Sequence, residues 1–401
     1  MRVKAILLAL VVAFLTACGI PENASEIEEP SITSTIPPPM YEHETEYHSE
    51  IPDKIAVITR DNNSYLNSDW LTELVKRHGS ENVIIYTRPR RESEEEIAKF
   101  VDEIAQNTEI KVIIVNPGSY GEDYITDTLR EQRNDVFIIY TDDRSSNDKK
   151  ANLVLEVDVN EIVKNFPEKA LELGADTLIF FYDLSVGYTE ESDWHRMMRE
   201  KSKEIGLLFV EVDVGGVIQC GSSYAEYMSE TIPPLLEEYG ANTVLFGLDN
   251  ERLFWSGGHD RYIYLPIYMS WFEPTPFDIA LRLSIIGWSD SDFHEKASDI
   301  PYLIEEIKNY LEENNSIGRI AFFPMSQKVL FPLAAAEYGL KWATGEVPQY
   351  GIDIAVLEQI MLDIITEYTG LQSSVNLTTL IENDVIYENY ILVLPDYLIY
   401  Q

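Results

Sequence analysis

Several features are scarce in this chain of 401 residues, and each scarcity argues against a class of protein. Its two cysteines are too few for a disulfide framework or a cysteine-based zinc module. Basic residues are also scarce, because 30 Lys and Arg stand against 69 Asp and Glu and give a net charge of −39. A surface of this charge repels phosphate, so we expect no nucleic-acid partner.

The sequence also lacks the common enzyme motifs. No glycine-rich dinucleotide loop follows the first predicted strand, and there is neither a Walker loop nor a Gly-x-Ser-x-Gly elbow. An alternative makes Cys220 a nucleophile beside His195 or His259, but a buried thiol is the simpler interpretation of one cysteine. We therefore predict a protein that is not an enzyme, with no catalytic residue, no cofactor and no metal site.

The N-terminus predicts export. Arg2 and Lys4 precede an apolar run from Ala5 to Leu15, which has the length of a signal-peptide core and is far shorter than the roughly 20 residues of a membrane span. The run ends in Leu15-Thr16-Ala17-Cys18, which resembles the bacterial lipobox. That resemblance implies a palmitate-type lipid on Cys18 and a protein held on the extracytoplasmic face of the cell membrane by this anchor alone.

Residues 19–50 follow the predicted signal peptide, residues 1–18. This segment holds five prolines and a cluster of glutamates, with almost no apolar periodicity. Such a composition cannot bury enough surface to order itself, so we predict a disordered, acidic tether.

From residue 51 onward, short apolar runs alternate with amphipathic segments. Lys54–Thr59 and Lys111–Val115 are typical of strands buried on both faces, and the segments between such runs have helical periodicity. This alternation predicts an α/β fold built on doubly wound, mostly parallel sheets. Because predicted strands end near residues 59, 115, 140, 181, 212 and 247, the series is too long for one ordinary sheet. We therefore expect two lobes joined by a hinge.

Polar side chains follow the predicted strands in a consistent way. In parallel sheets a ligand binds at the carboxyl ends of the strands, and Asp and Asn suit a small polar molecule there. The alternative is that these residues are only helix caps. We predict that the ligand contacts are the following residues: Asp61, Asn62, Asn63, Asn116, Asp142, Asp183, Asp249 and Asn250.

An aromatic stretch between residues 254 and 288 adds two more candidates. Aromatic faces clamp planar rings and the apolar faces of sugars, although most rings in such a stretch belong to a core. Trp271 and Glu273 lie in a loop-like segment that ends at Pro274. We therefore add Trp271 and Glu273 to the predicted ligand contacts.

The order of segments resembles that of type I periplasmic solute-binding proteins of the basic-membrane-protein and sugar-binding kind, and more closely an uncharacterised family of bacterial lipoproteins. The stretches that carry this resemblance are Lys54–Thr59, Ala151–Val157, Leu173–Phe181, Ile232–Asn250, Pro274–Leu283, Gly318–Pro324 and Tyr387–Tyr397. The resemblance implies a monomer whose two lobes close on a small-molecule ligand and deliver it to an ABC permease.

Two functions remain open from the sequence. The first is a solute-binding lipoprotein of an ABC importer, with a neutral or cationic polar ligand because the predicted cleft is rich in carboxylates. The second is a ligand-sensing or surface-interaction lipoprotein that keeps the binding-protein fold without transport. We assign residues 51–157 and about 285–345 to lobe 1, and residues 158–284 and about 346–401 to lobe 2.

Overall fold

The computed structural model describes residues 34–36, 53–60, 65–88, 94–115, 122–141, 151–182, 193–214, 222–247, 267–269 and 299–399, with isolated positions between 276 and 296. Within these residues the strands are β1 (Ser34–Ile36), β2 (Lys54–Arg60), β3 (Val83–Arg88), β4 (Ile110–Val115), β5 (Phe137–Thr141), β6 (Leu153–Val157), β7 (Thr177–Tyr182), β8 (Leu208–Asp213), β9 (Thr243–Gly247), β10 (Ile267–Met269), β11 (Ile320–Phe322), β12 (Val375–Glu382), β13 (Val385–Pro395) and β14 (Leu398–Ile399).

The helices of the described residues lie between these strands or follow them. They are α1 (Tyr65–His78), α2 (Glu94–Gln106), α3 (Glu122–Gln132), α4 (Val159–Glu172), α5 (Asp193–Ile205), α6 (Ser222–Tyr239), α7 (Ile300–Glu313), α8 (Gln327–Ala343) and α9 (Ile354–Thr369).

The strands form two separate sheets. The first has the order β1-β13-β6-β5-β4-β2-β3, with β12 paired to β13, and the second has the order β14-β11-β10-β9-β7-β8. Pairing is parallel throughout, except between β12 and β13 and between β11 and β14. The prediction of two doubly wound, mostly parallel sheets is therefore confirmed.

Each sheet is covered on both faces, which explains its continuous apolar strands. In β2, Ile55 and Val57 point into a core shared with α1, α8 and α9, whereas Ala56 and Ile58 point into a core shared with α2 and α3. Strand β7 alternates in the same way between a core with α4 and α5 and a core with α6. The first sheet and its helices form unit 1, and the second sheet with α4 to α7 forms unit 2.

Helix α8 approaches the first sheet unusually closely. A Cβ atom on Gly339 would lie 2.7 Å from Val112 Cγ1 and 3.4 Å from Ile139 Cδ1. Near this glycine, the ring of Phe137 at the start of β5 packs against the rings of Tyr338 and Trp342 at centroid distances of 5.9 and 5.1 Å. The C-terminal end of α8 therefore lies at the edge of sheet 1 where its parallel strands begin, here called the amino edge.

Three segments cross between the units. The first follows β6 and leads into α4, whose N-terminus is capped by the Asp158 carboxylate, which accepts a hydrogen bond from the Glu161 N–H. The second runs from β11 in unit 2 to α8 in unit 1, and Ser326 caps that helix. The third runs from β13 in unit 1 to β14 in unit 2.

The division of the chain between the lobes differs from our expectation. Helix α7 packs with β11 in unit 2, although we assigned residues 285–345 to lobe 1. Helix α9 packs in unit 1, and β12 and β13 pair in its sheet, although we assigned residues 346–401 to lobe 2. Hydrophobic periodicity identifies each element but not its partner, because a strand buried on both faces fits either sheet equally well.

The predicted tether also differs from our expectation in one place. Within residues 19–50, which we predicted to be disordered throughout, Ser34–Ile36 forms β1 and pairs in parallel with Val385–Tyr387 of β13. The Ser-Thr-Ile segment is short, but its threonine and isoleucine are β-branched residues that favour strands.

Candidate functional site

The carboxyl ends of the central strands of unit 1 lie at one level. Ile58 of β2 is opposite Val115 of β4, and Val115 is opposite Tyr140 of β5. Strand β2 therefore ends two residues beyond this level and β5 ends one residue beyond it. The loops that follow these three strands begin at a common edge, which is the usual place for a ligand in a parallel sheet.

The second sheet has the same arrangement. Phe181 of β7 is opposite Gly247, the last residue of β9, and Tyr182 is opposite Asp213, the last residue of β8. Strand β10, which the sequence did not predict, lies between β9 and β11 and is parallel to both. Its carboxyl end, Met269, therefore belongs to the same edge.

The two carboxyl edges meet at the crossings. Strand β13 ends at Pro395, at the carboxyl edge of unit 1, and Leu398 pairs with Phe322, the last residue of β11 in unit 2. Three residues of extended chain span at most about 10 Å. The two edges are therefore close together at the three crossings, here called the hinge. The loops that follow the strands of each unit start on either side of this hinge.

All ten predicted ligand contacts lie outside the described residues, as does the predicted lipidation site Cys18. The structure describes the strands that precede the contacts. Asp61, Asn62 and Asn63 follow β2 in sequence, Asn116 follows β4, Asp142 follows β5 and Asp183 follows β7. Asp249 and Asn250 come after β9, and Trp271 and Glu273 come after β10. The assignment of these ten side chains to a ligand site stays a prediction.

One described polar group at this edge was missed by the sequence reasoning. The side chain of Thr141, the last residue of β5, is 1% exposed, and its Oγ1 atom has no hydrogen-bond partner within the described part of the chain. An unsatisfied buried hydroxyl is costly, and such groups often serve a ligand or an ordered water. Only its position directly before Asp142 could have indicated it.

His195, which we considered as a partner of Cys220, is buried and makes contacts that stabilise the fold. Its side chain is 1% exposed and stacks on Phe180 at a centroid distance of 4.8 Å. The His195 Nε2 atom contacts the Glu211 carboxylate, to which Arg199 Nη2 also donates a hydrogen bond of 2.5 Å. This group joins α5 to the edge strand β8. Cys220 itself lies outside the described residues.

A groove of about 220 Å³ lies at the hinge between α4 and the end of the β12–β13 hairpin. Inside it, Lys169 Nζ lies 3.0 Å from Glu172 and 3.6 Å from Asp396, which also accepts a hydrogen bond from Ser374. Burial lowers the pKa of Lys169, but the hydrogen bond to Glu172 and the charge of Asp396 outweigh it and raise this pKa above its ordinary value. The groove thus contains a salt bridge between α4 of unit 2 and the crossing segment that follows β13.

Neither a metal centre nor a membrane span is found within the described residues. In that part of the chain, no group of three or more His, Cys, Asp or Glu side chains is placed to hold a metal ion. Among the helices described, none is both long and apolar enough to cross a membrane.

Two α/β units with parallel sheets, joined by three crossings at their carboxyl edges, define the two-lobed architecture of type I periplasmic binding proteins. The chain belongs to the family DUF3798, whose members are proteins of unknown function, and the match covers residues 54–254. The family match therefore runs from β2 through β9 and includes five of the eight strands of the first sheet and three of the six strands of the second.

Solved structures are similar to this chain in fold. A putative transcriptional regulator from Clostridium difficile 630 superposes with a TM-score of 0.71 at 19% identity, covering 87% of this chain and 100% of its own. A sugar ABC transporter protein from Actinomyces odontolyticus has a TM-score of 0.45 at 11% identity, covering 74% and 84%. The first likeness shows a shared fold, and the second is too weak to carry an argument. No curated protein matches the sequence significantly.

Proposed function

We propose that this protein is an extracytoplasmic solute-binding lipoprotein that captures a small polar molecule between its two units for an ABC importer. The observation that carries the proposal is the meeting of the two carboxyl edges at the hinge. Ten predicted contact residues, from both units, follow strands that end there. Closure of two units around a ligand needs no chemistry beyond differential binding of the closed state.

The charge of the predicted contacts limits the ligand. Asp61, Asp142, Asp183, Asp249 and Glu273 are carboxylates in a chain whose net charge is −39. A cleft lined by one sign of charge focuses the potential and attracts the opposite sign. Trp271 adds a ring face for a planar or sugar-like group. We therefore propose a neutral or cationic polar ligand such as a nucleoside, a sugar or an organic amine.

Native mass spectrometry of the purified protein tests ligand binding directly, because a tightly held solute co-purifies. Titration calorimetry against nucleosides, sugars, amines and organic anions then measures affinity. We expect Asp249→Asn and Trp271→Ala to weaken binding by at least about tenfold, the loss of one good contact.

Asp176→Asn is the matched control for these variants. Asp176 is exposed and precedes β7 at the opposite, amino edge, where its carboxylate accepts a hydrogen bond from Asn242. This variant should bind the ligand like the wild type. A panel in which the only tight binder is an anion contradicts the electrostatic argument.

The anchor and the transport role need separate tests. The lipid-anchor proposal predicts that Cys18→Ala moves the protein from the membrane fraction to the soluble fraction, whereas Cys220→Ala does not.

For transport, a strain without the protein should take up the identified ligand more slowly. Uptake at the wild-type rate would contradict the importer role and favour the sensing function.

A further inference from the structure

Strand β1 fills a short gap at the edge of β13. Strand β12 pairs with β13 along its length, from Val375 opposite Pro395 to Glu382 opposite Val385. On the other edge, β6 pairs only with Tyr390–Val393. The Val385–Tyr387 segment would therefore present unpaired backbone groups beyond β6, and β1 pairs with it there in parallel. Adding a strand to an open sheet edge is a common mode of peptide recognition.

This gap lies far from the hinge. Strand β13 has 11 residues, from Val385 to Pro395, and the distance between its ends is about 33 Å in an extended strand. Because Pro395 is at the carboxyl edge, Val385 lies at the amino edge of unit 1. The strand that holds the tether is thus at the end of unit 1 most distant from the predicted ligand site.

We infer that the Val385–Tyr387 edge of β13 is a docking site for the chain's own tether, and that docking sets the length of the tether and fixes unit 1 to the membrane side. Unit 2 is then the moving unit during closure. This inference rests on the proposed lipid anchor at Cys18. It assigns to β1 a role separate from ligand binding.

Docking of β1 shortens the segment of chain that connects Cys18 to the body, and this change in length is measurable. With β1 docked, residues 19–33 connect Cys18 to the body, and their composition predicts a coil of about 20 Å root-mean-square length. With β1 released, the connection extends through residues 19–53 and its length rises to about 32 Å. A strand of three residues makes few hydrogen bonds, so its release costs much less than global unfolding.

Part of the amino edge carries balanced charges. A body of net charge −39 is repelled by anionic lipids. Around the starts of β2, β4 and β5, however, three basic side chains stand beside three carboxylates, and two pairs are in contact at 2.6 Å (Lys54–Glu109) and 2.8 Å (Lys111–Asp135). The full group is Lys54, Lys111, Arg133, Asp53, Glu109 and Asp135. This local balance lowers the repulsion at the starts of β2, β4 and β5, whereas the exposed Glu382 and Asp384 beside Val385 add to it.

Hydrogen exchange of the full chain in solution tests the docking without lipid. Successive N–H groups of a strand point in opposite directions, so Ser34→Pro combined with Thr35→Pro removes one that faces β13. We expect exchange of the β13 amides in residues 385–387 that face β1 to become at least about tenfold faster, corresponding to roughly 1.4 kcal/mol of lost protection. Ala24→Pro combined with Ser25→Pro is the matched control, and it should leave this exchange rate unchanged.

Two results of this experiment overturn the inference. One is wild-type exchange in residues 33–37 as fast as in residues 23–27, which means that no strand forms. The other is protection that disappears on about hundredfold dilution, which means that β1 comes from a second copy of the chain.

A vesicle experiment tests the length. The acylated protein is labelled at Glu382→Cys in a Cys220→Ser background and mixed with phosphatidylglycerol and phosphatidylethanolamine vesicles that contain an energy-transfer acceptor. The two-proline variant should show weaker transfer than the wild type, because its body is held farther away. Equal transfer overturns the role in setting length. If the wild-type protein does not bind vesicles at all, the proposed anchor fails while the exchange result still stands.

Discussion

Phe323 and Tyr397 stack ring on ring at a centroid distance of 4.7 Å and an interplanar angle of 21°. Phe323 follows β11 on the crossing that leads to α8, and Tyr397 precedes β14 on the crossing that leaves β13. The stack therefore joins two of the three segments between the units. A contact between crossing segments holds their spacing constant, so in the proposed closure the units would turn about both segments together.

We expect the stack to contribute measurably to stability. Phe323 is 3% exposed, and Phe323→Ala should lower the free energy of unfolding by about 3–5 kcal/mol, as for other buried phenylalanines. A double-mutant cycle with Tyr397→Ala should give a coupling of about 0.5–1.5 kcal/mol between the rings. Urea unfolding measures both values. Tyr397→Phe keeps the ring and should retain the coupling, and strictly additive losses would contradict the direct interaction.

Gly339→Ala should destabilise unit 1. The added methyl group would lie 2.7 Å from Val112 Cγ1, so α8 must move away from β4. Overpacking of this kind costs about 1–3 kcal/mol, which thermal unfolding can measure. Val112→Ala removes the clashing methyl groups, so in that background the cost of Gly339→Ala should shrink. An equal cost in both backgrounds would contradict the close approach as the cause.

Asp135 should make stability depend on acid pH. Burial alone raises the pKa of this carboxyl, but hydrogen bonds from Arg133 and Lys111 and their charges outweigh burial and lower the pKa to about 2. A lowered pKa stabilises the folded state above the ordinary value of 3.8, and this stabilisation is lost as the pH falls from about 4 to about 2.

The matching variant is Asp135→Asn, which leaves the buried Lys111 and Arg133 without their carboxylate partner. The Asp135 side chain is 36% exposed, so solvent screening limits the expected loss to about 1–2 kcal/mol at pH 7. Urea unfolding of both proteins between pH 7 and about pH 2 should show this difference narrowing below pH 4. A difference that stays constant would contradict the assignment. Glu95→Gln, at an exposed ion pair with Lys99, is a control with little expected effect.

Tyr338→Phe should destabilise the start of α9. The Asp353 N–H donates a hydrogen bond of 2.7 Å to the Tyr338 hydroxyl, and Asp353 is the N-cap of α9. Removing the hydroxyl leaves a partly buried donor unsatisfied, which costs about 1–3 kcal/mol. Calorimetric unfolding measures the loss. Tyr350→Phe, at a tyrosine that is 50% exposed, should be nearly neutral. Equal stability of Tyr338→Phe and the wild type would contradict the role of this hydrogen bond.

The sequence predicted the parallel core well because its signals are local. Continuous apolar runs such as Lys111–Val115 are buried on both faces, and the six predicted strand ends fall within one residue of the observed ends of β2, β4, β5, β7, β8 and β9. Strand β10 was missed because its three residues lie in an aromatic stretch whose composition gives no period. The β12–β13 turn had a signal that we did not use, since Asn383 and Asp384 both have positive φ and favour a two-residue hairpin.

Part of the candidate site could be predicted from the sequence, and part could not. The strand ends follow from apolar runs, so the order of the loops was predictable. The meeting of the two carboxyl edges depends on β14 pairing with β11, a contact between Phe322 and Leu398 that no local pattern encodes. The unsatisfied hydroxyl of Thr141 is likewise a property of packing and not of sequence.

The position of β13 inside the first sheet has a consequence for the order of folding. Tyr390 pairs with Val154, and the Asn389 side chain donates a hydrogen bond to the Ala151 carbonyl across 238 residues of chain. The second sheet draws almost entirely on one continuous stretch, β7 to β11. Non-local pairings form slowly because the loop between them must first be closed. During synthesis, unit 2 can therefore assemble first, and unit 1 remains open at β6 until nearly the whole chain has emerged.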